Sequence, residues 1–265
     1  MMLYYKGSAD VNYKRTISIV GTRRATNYGK ARCEEIIEEL KSREVLVVSG
    51  LAYGIDSCAH RRSLELGIDT IGVLGHGLDR IYPAQNRKLA EKMVEQGGLL
   101  TEFISKTNPD RENFPKRNRI VAGMVDAVLV IESDRKGGAL ITAEIANSYN
   151  RDVFAVPGRI GDDYSRGCHF LVKTNRAALV ENGHDIAFLM GWDEQKVDKK
   201  IQTELFVNLT DEQKRILKTI QEHKEITIDQ LTIKTKLSTS KVAASLLTLE
   251  FEGFVKSLPG KLYSA

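Results

Sequence analysis

The sequence predicts an α/β protein: an extended Rossmann-like, doubly wound, mostly parallel sheet, with a small C-terminal winged-helix domain. Three observations carry this. Short apolar runs of four to six residues alternate with amphipathic helical segments between residues 16 and 156, as in a parallel sheet covered on both faces. Most of the runs end in small or glycine-containing turns. Past a charged stretch, three short helical patterns and a hairpin close the chain.

Six strands are expected. Thr16–Val20 is β-branched and stops at Gly21; after Thr22-Arg23-Arg24, a helix runs from Tyr28 to Leu40 with Ile36, Ile37 and Leu40 on its apolar side. Val45–Val48 is the second run, followed by Ser49-Gly50 and a helix carrying Ile55, Cys58, Ala59 and Leu64. Thr70–Leu74 is the third and ends at Gly75-His76-Gly77. A helix from Asn86 to Glu95 leads to Gly98–Thr101, and Ala127–Ile131 is the fifth strand. Gly137-Gly138 opens a helix that reaches Tyr149, and Asp152–Val156 completes the series before Pro157-Gly158. Doubly wound sheets bind ligands beyond the carboxyl ends of their strands. Here those ends carry Gly21-Thr22-Arg23, Ser49-Gly50, Gly75-His76-Gly77, Thr101-Glu102 and Gly137-Gly138.

The Rossmann-like domain is expected to span residues 1–192, a charged linker 193–207 and the winged-helix domain 208–265. In the last, Thr210 caps a helix from Asp211 to Glu222 with Ile216, Leu217 and Ile220 as its apolar stripe. Ile226–Lys234 reads as a second helix, and Ser238 caps a third with Val242, Leu246 and Leu249 on one face. Gly253–Lys256 and Lys261–Tyr263, separated by Pro259-Gly260, form the wing. Lys241 is the only cation of the third helix placed to reach a base, so protein contact or weak DNA contact fits it at least as well as duplex reading.

A chain of 265 residues can bury one larger and one smaller core, and its 42% hydrophobic and 28% charged content is ordinary for a globular protein. Its net charge of +4 permits a polyanion partner without demanding one, so local clustering has to decide. Cys33, Cys58 and Cys168 are odd in number and far apart, which argues against a disulfide framework or a zinc ribbon. No apolar run is long enough for a membrane helix and no signal peptide is visible, so a reducing cytoplasm is the expected setting, with no membrane partner. The opening Met1-Met2-Leu3-Tyr4-Tyr5-Lys6-Gly7 reads like a domain entered midway, as if an N-terminal region were missing.

The densest chemistry lies in Asn113–Gly123. Phe114 is followed by Lys116, Arg117 and Arg119, with Asn118 between them, and Pro115 suits the first turn of a helix. Cations at a helix N-terminus are unfavourable without an anion nearby, and an aromatic beside guanidinium groups can stack a base while its phosphates are held. A solvated charge run is the plain alternative. Gly21, Thr22, Arg23 and Arg24, in the first strand-to-helix turn, can receive a phosphate. Neither a Walker loop nor Gly-x-Gly-x-x-Gly occurs there, which argues against a nicotinamide-dependent oxidoreductase, and no cofactor is expected. Ser49, Gly50 and the Gly137-Gly138 turn are further phosphate-facing candidates at strand ends. Asp56 and His60, four residues apart on one helical face, read as a structural pair, since no nucleophile or third metal ligand accompanies them. No catalytic residue or metal site is expected.

Taken in order, the motifs resemble the DNA-processing protein A family (DprA, also called Smf). They are Gly21-Thr22-Arg23; Ser49–Asp56 with Ala59-His60; Gly77-Leu78-Asp79 with Tyr82-Pro83 and Asn86; Phe114–Gly123; Leu140–Ala143; and Phe154–Gly158. The resemblance covers about residues 3–190, and the tail resembles the winged-helix domain of many members. It implies a non-enzymatic protein that dimerises, binds single-stranded DNA without base-specific readout, protects incoming strands in natural transformation and loads the RecA recombinase. It maps phosphate binding onto Gly21, Thr22 and Arg23, and the basic loop-helix onto Phe114, Lys116, Arg117, Asn118 and Arg119. Gly167-Cys168-His169, Asn175-Arg176-Ala177 and Gly137-Gly138-Ala139 depart from the family pattern. The alternative is a nucleotide-binding sensor or an enzyme like the nucleotide phosphoribohydrolases, suggested by Gly137-Gly138 followed by Thr142 and Glu144.

Overall fold

The computed structural model describes residues 2–193, 209–223, 226–258 and 262–264, in two compact units, residues 1–194 and 195–265. All of the expected linker but Asp193, and the Pro259-Gly260 turn, lie outside the described residues.

The first unit is built on an eight-stranded sheet. Its strands are β1 (Tyr4–Gly7), β2 (Thr16–Gly21), β3 (Leu46–Ser49), β4 (Thr70–Val73), β5 (Gly98–Thr101), β6 (Ala127–Ile131), β7 (Asp152–Ala155) and β8 (Ala178–Leu179), in the spatial order β1-β5-β4-β3-β2-β6-β7-β8. All pairings are parallel except β1 against β5, where Tyr4 faces Thr101 and Gly7 faces Gly98. The six expected strands are all present. The two extra ones sit at the edges and are mostly exposed, so no apolar run announces them.

Side chains alternate between the two faces of each strand, and the core divides accordingly. Ile17 and Ile19 of β2 and Leu129 and Ile131 of β6 pack with α1 (Asn27–Leu40), α2 (Ile55–Leu66) and α7 (Gly183–Leu189). Leu46 and Val48 of β3, with Val128 and Val130 of β6, face α4 (Asn113–Gly123), α5 (Gly138–Ser148) and α6 (Arg166–Lys173). Helix α3 (Arg87–Gln96) covers Leu51, Leu74 and Leu99 through Ala90 and Met93. Helices on both faces of a parallel sheet make the unit doubly wound. Helices α6 and α7 are additions to the sequence reading.

From β2 the chain works outward through β3 and β4 to β5, then returns to the other side of β2 as β6 and continues to β7 and β8. The loops leaving β2 and β6 therefore diverge and open a crevice between them at the carboxyl ends of the strands. This is the switch point where such sheets take their ligands.

The pair read as Asp56–His60 is divided between two structural tasks. Asp56 accepts from the backbone N–H of Gly50 (3.1 Å) and Ala52 (3.3 Å). His60 is fully buried, with Nδ1 2.7 Å from the Thr70 hydroxyl. That hydroxyl donates its proton to the Val47 carbonyl at 3.0 Å, so the imidazole must donate from Nδ1. All three cysteines are buried and free. Among the described residues, no helix is long and apolar enough to cross a membrane.

The second unit contains α8 (Asp211–His223), β9 (Ile226–Thr227), α9 (Ile228–Thr235), α10 (Thr239–Phe251), β10 (Lys256–Leu258) and β11 (Leu262–Ser264), with β10-β11-β9 forming a small antiparallel sheet. Ile216, Ile220, Leu231, Val242, Leu246 and Leu249 fill its core. This is a winged helix with two local differences from the sequence reading. Ile226 and Thr227 pair with the wing, and Thr227 caps α9 through a reciprocal box with Gln230. Ser238 occupies the cap position of α10, but its hydroxyl points to that of Ser240 at 3.2 Å. Lys241 is held by Glu212 at 2.7 Å.

Burial brings the His60 pKa down to about 3, below its ordinary value of 6.5, because the charged imidazolium would lose its hydration; the Arg117 charge acts in the same direction. The unfolded chain then takes up a proton between pH 6.5 and about 3 that the folded chain refuses, so stability falls as the pH drops through that window. Urea unfolding at a series of pH values should show the unfolding free energy of His60→Asn falling less steeply than that of the unsubstituted protein, by up to about 1.4 kcal/mol per pH unit.

Candidate nucleic-acid interface

A cleft of about 760 Å³ occupies the switch point. Its floor is the end of β2 (Val20, Gly21) and the loop Thr22–Arg24; one wall is α4 with Phe114, Pro115, Arg117 and Asn118. The other wall is the loop after β6 and the start of α5, with Ser133, Asp134, Lys136, Gly137 and Gly138. Tyr82 and Arg111 close the rim.

The first turn is fixed by a buried acid. Glu132 follows β6 with φ of 54°, and its carbonyl accepts the Thr22 N–H at 2.7 Å. Its carboxylate accepts from the Thr26 N–H at 2.9 Å and from the Thr26 hydroxyl, while Thr26 caps α1. One residue thus ties the β2 turn to the β6 loop across the crevice. Gly54, with φ of 80°, is also required here: a Cβ would lie 2.1 Å from the Thr22 carbonyl oxygen.

Arg117 is the least conventional cation. Only 6% of it is exposed, yet it lines the cleft. Its guanidinium lies over Gly50, where a Cβ would fall 1.7 Å from one of its terminal nitrogens. Its Nε is buried without a hydrogen-bond partner. Burial lowers its pKa to about 10, only partly offset by the Asp56 carboxylate, and Arg23 adds like-charge repulsion. Burial likewise pushes Asp56 up, against Arg117 and the backbone N–H groups of Ala52 and Gly50. Neither charge is fully compensated by the protein, and the arrangement suits an incoming anion.

The cleft collects Arg23, Arg24, Arg111, Arg117 and Lys136 against the carboxylates of Asp56 and Asp134. Helix α5 begins at its wall with no side-chain cap on Gly137, leaving first-turn N–H groups for an acceptor. Phe114 is half-buried; Arg23 lies 5.7 Å above its ring and Tyr82 is tilted against it at 5.8 Å. Behind Tyr82 is His76, 1% exposed, which donates from Nδ1 to the Gly77 carbonyl at 2.9 Å and accepts the Tyr82 N–H on Nε2 at 3.2 Å. Burial holds the His76 pKa below its usual value, keeping the ring neutral and able to accept.

Nine of the residues singled out from the sequence meet at this cleft: Gly21, Thr22, Arg23, Arg24, Phe114, Arg117, Asn118, Gly137 and Gly138. Four do not line it. Ser49 is fully buried and donates to the Ile19 carbonyl at 2.6 Å, because the strand end turns its hydroxyl into the sheet. Gly50 is the seat for Arg117. Lys116 points to solvent, since neighbouring positions on a helix face different directions. Arg119 pairs with Glu102. Sequence reasoning missed Tyr82, Arg111 and Lys136 as lining residues. Lys136 was legible in Arg135-Lys136-Gly137-Gly138, beside a turn already singled out; Tyr82 stood in the Tyr82-Pro83 motif, but nothing local placed it at the cleft.

A doubly wound sheet with a cationic, aromatic-rimmed cleft at its switch point defines a Rossmann-type domain. The chain belongs to the family described as DNA recombination-mediator protein A, whose model matches residues 1–191, and the DprA winged helix domain matches residues 207–261. Protein Smf of Synechocystis is 37% identical over 99% of this chain and 74% of its own length. DNA processing protein DprA of Streptococcus pneumoniae is 40% identical over 70% of this chain, but the match spans only 65% of the pneumococcal protein. The solved structure of that pneumococcal protein superposes with a TM-score of 0.67, covering 70% of this chain and 65% of the other. DNA processing protein A from Helicobacter pylori, whose structure addresses its single-stranded DNA binding mode, gives a TM-score of 0.67 at 29% identity, over 72% of this chain and 87% of that one.

Arg117→Met keeps the length of the side chain and removes the charge. It should lower the urea unfolding free energy by about 3–5 kcal/mol, because the buried Asp56 carboxylate loses the one cation facing it and keeps the backbone N–H groups of Gly50 and Ala52. Polyphosphate at a hundred times its Kd should stabilise the unsubstituted protein by about 2.7 kcal/mol and the variant much less at the same concentration.

Proposed function

We propose that the protein is a single-stranded DNA-binding recombination mediator that works without catalysing a reaction. The observation that carries this reading is the cleft itself. Cations from three separate loops and one helix converge on a space rimmed by aromatic rings, which is the chemistry of a charged backbone bearing stackable bases. Arg23, Arg24, Arg111 and Lys136 are the exposed cations placed for phosphates, with Arg117 as the buried one. Gly21, Thr22, Gly137 and Gly138 supply close backbone approach. Lys116, exposed on the same helix, extends the field of the α4 wall, whereas Arg119 would reach a phosphate only by exchanging Glu102 for it. A flexible single strand can turn its bases into such a cleft, whereas a duplex keeps them stacked inside. Family membership and the single-strand binding mode addressed for the Helicobacter pylori structure support the reading. Protection of incoming strands in transformation, loading of RecA, a homodimeric state and a cytoplasmic site of action belong to the same proposal.

The nucleotide-hydrolase alternative needs an acid in the cleft that is free to act. Glu144, its candidate, is paired with Arg176 at 3.1 Å. Asp56 is buried and accepts from backbone N–H groups. Glu144 does not line the cleft, which favours binding over hydrolysis, and the exposed Asp134 is the lining carboxylate that a hydrolase would have to use.

Fluorescence anisotropy with labelled oligo-dT and a matched duplex, across a salt series, tests this. The single strand should bind more tightly, with log affinity falling by about 0.7 per log unit of salt for each phosphate neutralised. Arg23→Ala should weaken all single-stranded sequences alike and lower the salt slope by about 0.7. Equal binding of both forms, or release of a free base from a nucleoside monophosphate, would count against the proposal.

A further inference from the structure

From the motif alone, base stacking falls to Phe114, but much of that ring is already engaged. It is half-buried, Arg23 lies 5.7 Å above it, and its edge is packed close to the backbone of Gly75, where a Cβ would lie 3.1 Å from the ring. Tyr82 is different. It lines the same cleft, remains 45% exposed and tilts by 39° against Phe114.

We infer that Tyr82 is the residue on which a base of the bound strand stacks, with Phe114 as the support behind it. This deepens the single-strand reading and rests on it. Arg23, Phe114 and Tyr82 form a graded row: a cation for phosphate, a ring that receives the cation on its face, and a second ring open to solvent.

The backbone beneath Tyr82 is held from several sides, as a stacking platform requires. Its N–H is bound by the buried His76 imidazole at 3.2 Å. The Thr101 hydroxyl contacts the carbonyl of His76 at 2.9 Å, and the Gly77 N–H reaches the Thr107 carbonyl at 3.3 Å. Downstream, the Asn86 side chain donates to the Leu51 carbonyl at 2.9 Å. An exposed ring on a fixed backbone loses little conformational freedom when a base settles on it, so more of the stacking energy appears as affinity. Stacking tolerates any base, since each has a π-face, so Tyr82 adds affinity for bases over bare backbone without reading sequence.

The test compares oligo-dT with an oligonucleotide of equal length in which abasic tetrahydrofuran units replace the nucleosides, at one salt concentration, by anisotropy. The unsubstituted protein should prefer oligo-dT. Tyr82→Leu should weaken oligo-dT by about 5- to 150-fold, the range expected for loss of one stacking residue. It should leave the abasic strand within about twofold, and Tyr82→Phe should retain the preference, because the ring and not the hydroxyl is used. Equal weakening of both strands by Tyr82→Leu would assign Tyr82 to loop structure and overturn the inference. An unsubstituted protein that binds both strands equally, or a Tyr82→Leu variant that keeps its preference, would also overturn it while leaving single-strand binding standing. An unsubstituted protein that binds neither strand would remove the single-strand reading itself.

Discussion

The placement of Arg117 over Gly50 and beside Asp56 is the constraint on which the rest of the cleft depends. It fixes helix α4 against the ends of β3 and α2, because the guanidinium occupies the volume that any side chain at position 50 would need. Asp56 answers it only in part, being occupied with the N–H groups of Gly50 and Ala52. A globular protein rarely tolerates such a charge for stability alone, since desolvation outweighs an incomplete pairing. Under the proposed single-strand reading, the arrangement is a pre-formed anion site, in which the protein supports a cation whose full compensation arrives with the ligand.

A second tie runs across the crevice. Glu132 binds Thr22 through its backbone and Thr26 through its carboxylate, so the turn after β2 that lines the cleft is braced by the loop after β6. The switch point separates these two connections, and without a bridge the crevice would be bordered by independent loops. With it, Arg23 on one side and Lys136 and the α5 N-terminus on the other are held at fixed spacing. The left-handed backbone at Glu132, unusual for a residue with a side chain, fits a position where the chain must deliver its carbonyl to Thr22 and its carboxylate to Thr26.

The winged-helix unit follows a different logic. Its third helix offers Lys241 already engaged by Glu212, and Leu247 and Phe251 on its outer surface are 59% and 87% exposed. Charge that would seek a duplex is not displayed along this helix, in contrast to the cleft of the first unit, where exposed cations outnumber acids.

The sequence by itself determined the fold. Six apolar runs of the right length, punctuated by glycines, admit little else than a doubly wound sheet, and all six became strands; the motif order likewise led to the family. It also located the strand-end turns and the Phe114–Arg119 helix, since these depend on residue type and local spacing. It missed β1 and β8, whose few exposed residues carry no apolar signal. Only the tertiary structure decided which cations face the cleft. Along α4, Lys116 points to solvent, Arg117 is swallowed by the fold and Arg119 turns to Glu102, although all three looked alike in the chain. Tyr82 reached the cleft through a loop more than thirty positions before Phe114, a proximity that no local spacing encodes. Local pattern fixes secondary structure because its forces act over a few residues; the direction of a charge depends on what the rest of the chain packs beside it.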